Sequence, residues 1–222
     1  MATQQKGIMG PISGKVGDKV YSSRNGTCYV KSLPKKSTKA ASPAQINQRH
    51  KLRIAARLIS KIQNFLSASA KGKPLQYFGV GFAMKTILTE AISGKFPDLK
   101  IDYDRIKLSK GSLELPQLQR FELDSNRLLQ IGWYAQPGVC GYISDQLVVF
   151  FCEESHGRIW VSPVKNTIRR DGELAIDFSS AKAGQVIHCW LAFKSVETRT
   201  YSQSIYAGMI VIPPKTSIHD SV

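Results

Sequence analysis

"QLVVFFCEESHGRIWV", residues 146–161, decides how the chain is read. An apolar run of strand length, 146–153, meets the polar turn cluster Glu153-Glu154-Ser155-His156-Gly157, and a second short run follows at 158–161. Two such runs across a turn signal are a strand pair. The same punctuation repeats on both sides. Further candidate strands fall at 119–123, 128–134, 173–178, 185–194 and 204–212, separated by Gly-, Pro-, Asn- and Asp-bearing stretches such as "QPGVCG" and "RRDGE". Seven short strands at this spacing predict an antiparallel β-sandwich. Its predicted core is Trp133, Val149, Phe151, Ile176, Trp190, Ala192 and Leu191, with only one of Trp190 and Leu191 inward if the other face is wet.

The chain ahead of this region has another character. The net charge is +15 over 222 residues. Residues 1–73 carry 15 Lys/Arg and one acid, Asp18, a net +14, whereas residues 74–222 are nearly neutral. Such asymmetry points to a segment that faces a polyanion or an acidic protein.

Within that segment, residues 15–32 read as a two-stranded ribbon. Val16, Asp18 and Val20 alternate with Lys15, Lys19 and Tyr21, which are therefore expected on one face. Asn25-Gly26 is the hairpin turn, since both residues tolerate φ > 0. Thr27, Tyr29 and Lys31 alternate in the return strand. Pro34 ends it, because proline cannot donate to a ladder. An isolated ribbon is marginal in water, so it must pack on something or pair with another chain.

A helix is predicted from Pro43 to about residue 67. Ser42 is its N-cap, Pro43 its first position, and Gln45 completes an S-x-x-Q capping box. Ala55, Leu58, Ile59, Ile62, Phe65 and Leu66 gather on one side at 100° per residue. Arg49, Arg53, Arg57 and Lys61 recur every fourth residue on the other, with no acid to pair with. Residues 80–94 predict a second helix stopped at Gly94, and residues 100–115 alternate like a strand with a turn at Lys110-Gly111.

The fold class is thus α+β, mainly β. Three segments are expected: a basic hairpin-and-helix module over 1–73, a connecting helix and strand over 74–115, and a β-sandwich over 116–222 that, through Trp133, "VIHCWLAFKS" and "YSQSIYAGMIVI", resembles Ig/fibronectin III-like modules. Binding is expected at Lys15, Lys19, Tyr21, Arg24, Tyr29 and Lys31 of the ribbon. It continues through Lys35 and Lys36 and along Arg49, Arg53, Arg57 and Lys61 of the helix.

Four stretches carry a wider resemblance: "GPISGKVGDKVYSSRNGTCYVKS", "SPAQINQRHKLRIAARLI", "FPDLKIDYDRIKLSKGSL" and "CWLAFKSVETRTYSQSIYAG". In this order they resemble an uncharacterised protein family found mainly in Bacteroidota and their mobile elements. Members show an aromatic-plus-Arg-Gly stretch where this chain has Tyr21 and Arg24 in "YSSRNG". The resemblance implies a basic N-terminal motif with a helix and a C-terminal Ig-like domain. It implies no catalytic residues.

Residue patterns for chemistry are sparse. Cys140, Cys152, His156 and Cys189 lack C-x-x-C spacing, which argues against zinc. His188 and Cys189 are strand neighbours and point to opposite faces, which argues against a dyad. Strand pairing alone does not set the geometry a Cys152–Cys189 bridge requires. His50 reads as a packed or surface residue of the helix, and Glu153-Glu154 as a solvated pair. "GPISGK" has Gly10 and Gly14 one residue too close for a phosphate loop, and Val16 stands where Ser/Thr would bind Mg²⁺. No enzyme, cofactor, metal or small-molecule substrate is expected. No window approaches the ~18 apolar residues of a membrane span, and no apolar leader is visible, so a cytoplasmic location, or a virion if phage-derived, is expected.

Two function classes remain. The first is a structural or interaction protein, a subunit of a phage-like or surface assembly, docking through its basic arm. The second is sequence-nonspecific nucleic-acid binding by the same cations, with Tyr21 and Tyr29 as stacking surfaces.

Overall fold

The computed structural model describes residues 3–4, 12–24, 27–35, 38–69, 79–136, 141–162, 167–198 and 200–214. The chain is mainly β and forms two compact units, Met1–Ser42 and Pro43–Val222.

The first unit is an antiparallel sheet in the order β1-β2-β3-β4, with β1 at Thr3–Gln4, β2 at Ile12–Val16, β3 at Lys19–Arg24 and β4 at Thr27–Ser32. Residues 15–24 are therefore not one strand of a ribbon. A two-residue turn at Gly17-Asp18 divides them, with Val16 paired to Lys19. Gly17 sits at φ 59°, which glycine reaches without a Cβ penalty, and Gly-first is the signature of a tight hairpin. β3 and β4 pair as far as Arg24↔Thr27. The expected Asn25-Gly26 turn itself lies outside the described residues.

In the second unit, α1 runs Pro43–Ile59 and starts where the Ser42/Pro43 signal places it. The expected single helix is broken at residues 60–62. Ile62 N–H bonds the Ile59 carbonyl at 3.0 Å, and both the Ser60 amide and its hydroxyl turn back to the Arg57 carbonyl. These i→i+3 bonds tighten the turn, and α2 resumes at Gln63–Ser69.

α3, Gly79–Thr86, continues into a π turn at Ile87–Ala91. The predicted second helix ends there, because Ile92–Lys95 is strand β5, paired with β6 at Asp98–Ile101. The remainder of the predicted 100–115 strand is a 3-10 turn at Tyr103–Arg105 and an extended run. That run is tied to residues 201–204. Leu108 N–H donates to Ser204 Oγ at 2.8 Å, and Ser109 Oγ donates to the Ser202 carbonyl at 2.8 Å. A Cβ at Gly111 would collide with the Tyr201 carbonyl, so glycine sets how closely these segments approach.

The seven candidate strands of the β region all form: β7 Leu118–Leu123, β8 Leu128–Trp133, β9 Gln146–Glu153, β10 Arg158–Val161, β11 Glu173–Asp177, β12 Val186–Lys194 and β13 Ile205–Val211. They make two antiparallel sheets, β11-β8-β7 and β10-β9-β12-β13. Leu129, Ile131 and Trp133 of the smaller sheet share a core with Val149, Phe151, Leu191 and Phe193 of the larger.

The other face of the larger sheet is not wet. Val148, Phe150, Cys152, Trp190 and Ala192 form a second core with Ala55, Leu58 and Ile59 of α1, Ile62 of the turn after it and Leu66 of α2. Trp190 and Leu191 are consequently both fully buried, on opposite faces of β12. Each fully buried Leu or Ile is worth roughly 1.5–3 kcal/mol, so the helix layer is a large part of the body's stability. The helix expected in a basic module ending at residue 73 thus packs with the sheets, and the division falls at Ser42/Pro43. Its Ala55/Ile59/Ile62 face packs on residues of the same unit.

Candidate interaction surface

Cross-strand partners point to the same side of a sheet, so register sorts the N-terminal cations. Lys15 pairs with Val20 and Val20 with Lys31; Ser22 pairs with Tyr29 and Arg24 with Thr27. Lys15, Arg24, Tyr29 and Lys31 therefore share one face. Lys31 Nζ lies 4.9 Å from the Tyr29 ring centroid, a cation–π contact. Tyr21 pairs with Val30 and Gly14, Lys19 with Val16 and Ser32, and Cys28 with Ser23, all on the opposite face.

This corrects the expectation that Lys15, Lys19 and Tyr21 lie together. The turn at Gly17-Asp18 reverses the chain, and Lys15 and Lys19 end on opposite faces. The second face carries Lys19, Ser23 and Ser32 beside Val16, Tyr21, Cys28 and Val30, with Val16 51% and Val30 53% exposed. Lys35 is exposed just past β4, and Lys36 lies outside the described residues.

Arg49, Arg53, Arg57 and Lys61 are all exposed along α1 and the turn after it. No acid occurs from Lys19 through Thr89, so this face repels itself at i,i+4 spacing. His50 is a packing residue. Its ring stacks on Phe96 with centroids 3.9 Å apart, while Asn47 Oδ1 accepts the Phe96 amide at 2.9 Å. Together they fasten the β5–β6 hairpin to α1.

A cleft of about 580 Å³ opens between the β9–β10 turn and residues 182–186. Glu153 organises it. Its carboxylate accepts Ser155 Oγ at 2.5 Å and Gln185 Nε2 at 3.0 Å, and contacts His156 Nδ1 at 2.6 Å. The Ser155 hydroxyl, then His156 and Gln185, hold it below the usual carboxylate range. Glu153 is thus engaged, and Glu154 alone of the pair is exposed. Ser155 Oγ meets His156 at 3.3 Å through Nδ1, the nitrogen already facing Glu153. A Ser–His–carboxylate relay needs serine on the opposite nitrogen, so this geometry does not activate Ser155.

Cys152 and His188 are direct cross-strand partners on the helix side of the larger sheet. Burial pushes the Cys152 thiol up to about 12 and pulls His188 below its ordinary value. Both are held neutral, which disfavours a thiolate–imidazolium pair. Cys189 is on the other face of β12, in the inter-sheet core. Cys152 and Cys189 are free thiols on opposite faces, so no bridge joins them. Cys140 and His219 lie outside the described residues, and Cys28 is exposed on the N-terminal sheet. Among the described residues no group of three or more His, Cys, Asp or Glu is placed to hold a metal ion. No described helix is long and apolar enough to cross a membrane.

The sequence model of a family of unknown function, DUF6266, matches residues 10–208. No curated protein matches the chain.

Proposed function

The chain belongs to this family of unknown function, and from that premise we propose that it is a non-catalytic docking protein whose basic N-terminal sheet engages an acidic protein partner. The observation that carries the reading is the face that Lys15, Arg24 and Lys31 form around Tyr29 on a unit that is compact in its own right. The second unit supplies a rigid body. We assign its two sheets to the Ig/fibronectin III-like class. The division of first, second and fifth strands from third, fourth, sixth and seventh supports that assignment. Such a body with a charged appendage suits a subunit of a phage-like or surface assembly.

Single-strand nucleic acid is the second reading, favoured by a tyrosine among cations. Register weakens it. Tyr21 and Tyr29 fall on opposite faces, so they do not form one stacking track, and Tyr29 is already covered by Lys31. The test compares a labelled acidic peptide with an oligothymidylate of equal charge, at low and high salt. The triple variant K15E/R24E/K31E should abolish peptide binding, and R49E/R53E/R57E should spare it. Tighter oligonucleotide binding, with a log K slope of about −0.7 per phosphate contacted, would favour the second reading instead.

A further inference from the structure

We propose that β4 is a strand-docking edge that takes up an extended segment of the acidic partner, one whose residues alternate acidic and apolar. The inference rests on the docking reading above and specifies the partner's chemistry.

Among the described residues β4 pairs with β3 alone. Its hydrogen-bond phase follows from one bond. The Leu33 amide donates to the Asp18 carbonyl at 2.6 Å. In an antiparallel ladder, alternate residues turn their amides to the same neighbour. Thr27, Tyr29, Lys31 and Leu33 therefore bond toward β3. Cys28, Val30 and Ser32 turn their N–H and C=O groups to the open side. An exposed row of this kind is a template for an added strand.

Side chains select which strand. A segment laid along β4 extends both faces of the sheet at period 2. On one face its residues meet Tyr29 and Lys31, with Lys15 and Arg24 on the strands behind. On the other they meet Cys28, Val30 and Ser32, with Ser23, Tyr21 and Lys19 directly behind and Val16 on the strand beyond. Carboxylates fit the first set, and aliphatic groups fit Val30, Tyr21 and Val16 of the second, so the matching strand alternates the two, with its apolar residues alongside Cys28 and Val30.

A second copy of this chain is the poorer occupant. Antiparallel pairing of β4 with itself sets its Lys31 face against the same face, and like charges on neighbouring strands destabilise a sheet. Nucleic acid has no peptide ladder and makes no use of the edge.

The experiment measures binding of labelled peptides to the full chain by anisotropy. One peptide alternates glutamate and valine; a second has the same composition in two blocks. Two more are alternating peptides N-methylated on one or the other set of alternate amides. The alternating peptide should bind, and the block peptide at least about tenfold more weakly. One N-methylated form should lose binding and the other keep it. Val30→Pro removes an outward amide without touching the β3 ladder, a place where an edge strand tolerates proline. It should lose at least about tenfold, with the melting temperature held.

Equal binding of alternating and block peptides, with K15E/R24E/K31E abolishing both, would overturn strand docking and leave the charge-based reading standing. Failure of both peptides to bind would overturn both. Oligothymidylate binding indifferent to Val30→Pro, with no peptide bound, would replace both with the nucleic-acid reading.

Discussion

Tyr103 and His188 stack face to face, ring centroids 3.8 Å apart and planes 13° apart. Tyr103 comes from the 3-10 turn after β6, and His188 from the helix-facing side of β12. The stack pins that turn onto the sheet. On the same side His188 Nδ1 meets the Tyr206 hydroxyl at 2.8 Å, and Cys152 stands directly across the strands. Glu154 is the charged group that favours protonation here, and burial outweighs it.

The pH dependence follows in sign. The folded His188 titrates below the unfolded value of about 6.5. As pH falls through about 6.5 the unfolded chain takes the proton first, so stability falls. The loss is complete once pH is below the folded pKa, and above 6.5 the group contributes nothing. Urea midpoints at about pH 8, 6.5 and 5 should drop on the acid side. In His188→Gln that part of the slope should vanish; an unchanged slope assigns it to another group.

Arg169 is 2% exposed and bonds Asp145, 1% exposed, at 3.3 Å. Its guanidinium carbon also sits 3.8 Å from the Phe193 ring centroid. Asp145→Ala leaves a buried guanidinium without its carboxylate and strips the Tyr142 amide of its acceptor. The expected cost is about 3–5 kcal/mol, read from urea unfolding. A loss near zero would mean water reaches the pair.

The two cores should be independently essential. Trp133 packs between the sheets and donates Nε1–H to the Arg169 carbonyl at 2.8 Å. Trp190 packs against the helices. Trp133→Ala and Trp190→Ala should each cost roughly 3–5 kcal/mol. A mild Trp190→Ala, with Trp133→Ala severe, would mean the helix layer contributes little.

The body strands were legible because each apolar run ends at a polar turn. What covers the larger sheet was less so. Val148–Phe150–Cys152 and Trp190–Ala192 are apolar at the same period as the inner face, and a lone strand does not say which layer lies against it. The Gly17-Asp18 turn was hidden because Val16 and Val20 keep strand parity across it. β5 was hidden because Ile87, Leu88, Ala91 and Ile92 are spaced like a helix and Gly94 reads as its stop. The binding cations were countable in sequence, but their division between faces was not, since a two-residue turn sets it. Glu153 is engaged mainly by Ser155 and His156 in its own turn, which a solvated-pair reading of Glu153-Glu154 overlooks, and only the Gln185 contact lies too far along the chain for a local pattern to register.

Where the chain can be cut follows from which layers share a core. The pattern over 116–212 reads as a self-contained sandwich, yet one face of its larger sheet is a core shared with α1 and α2. A fragment starting at Pro116 would present Val148, Phe150, Trp190 and Ala192 to water as one patch, which favours aggregation. It would also lose the burial of Leu58, Ile59, Ile62 and Leu66, each roughly 1.5–3 kcal/mol. A fragment starting at Pro43 keeps both cores. It should unfold cooperatively at the urea midpoint of the full chain. The shorter fragment should bind a hydrophobic dye and show no cooperative transition. Limited proteolysis of the full chain should cut first within residues 33–41, where the two units join. A monomeric 116–222 fragment with a full-length-like midpoint would show that the helices are dispensable and that the sheets alone are the folding unit.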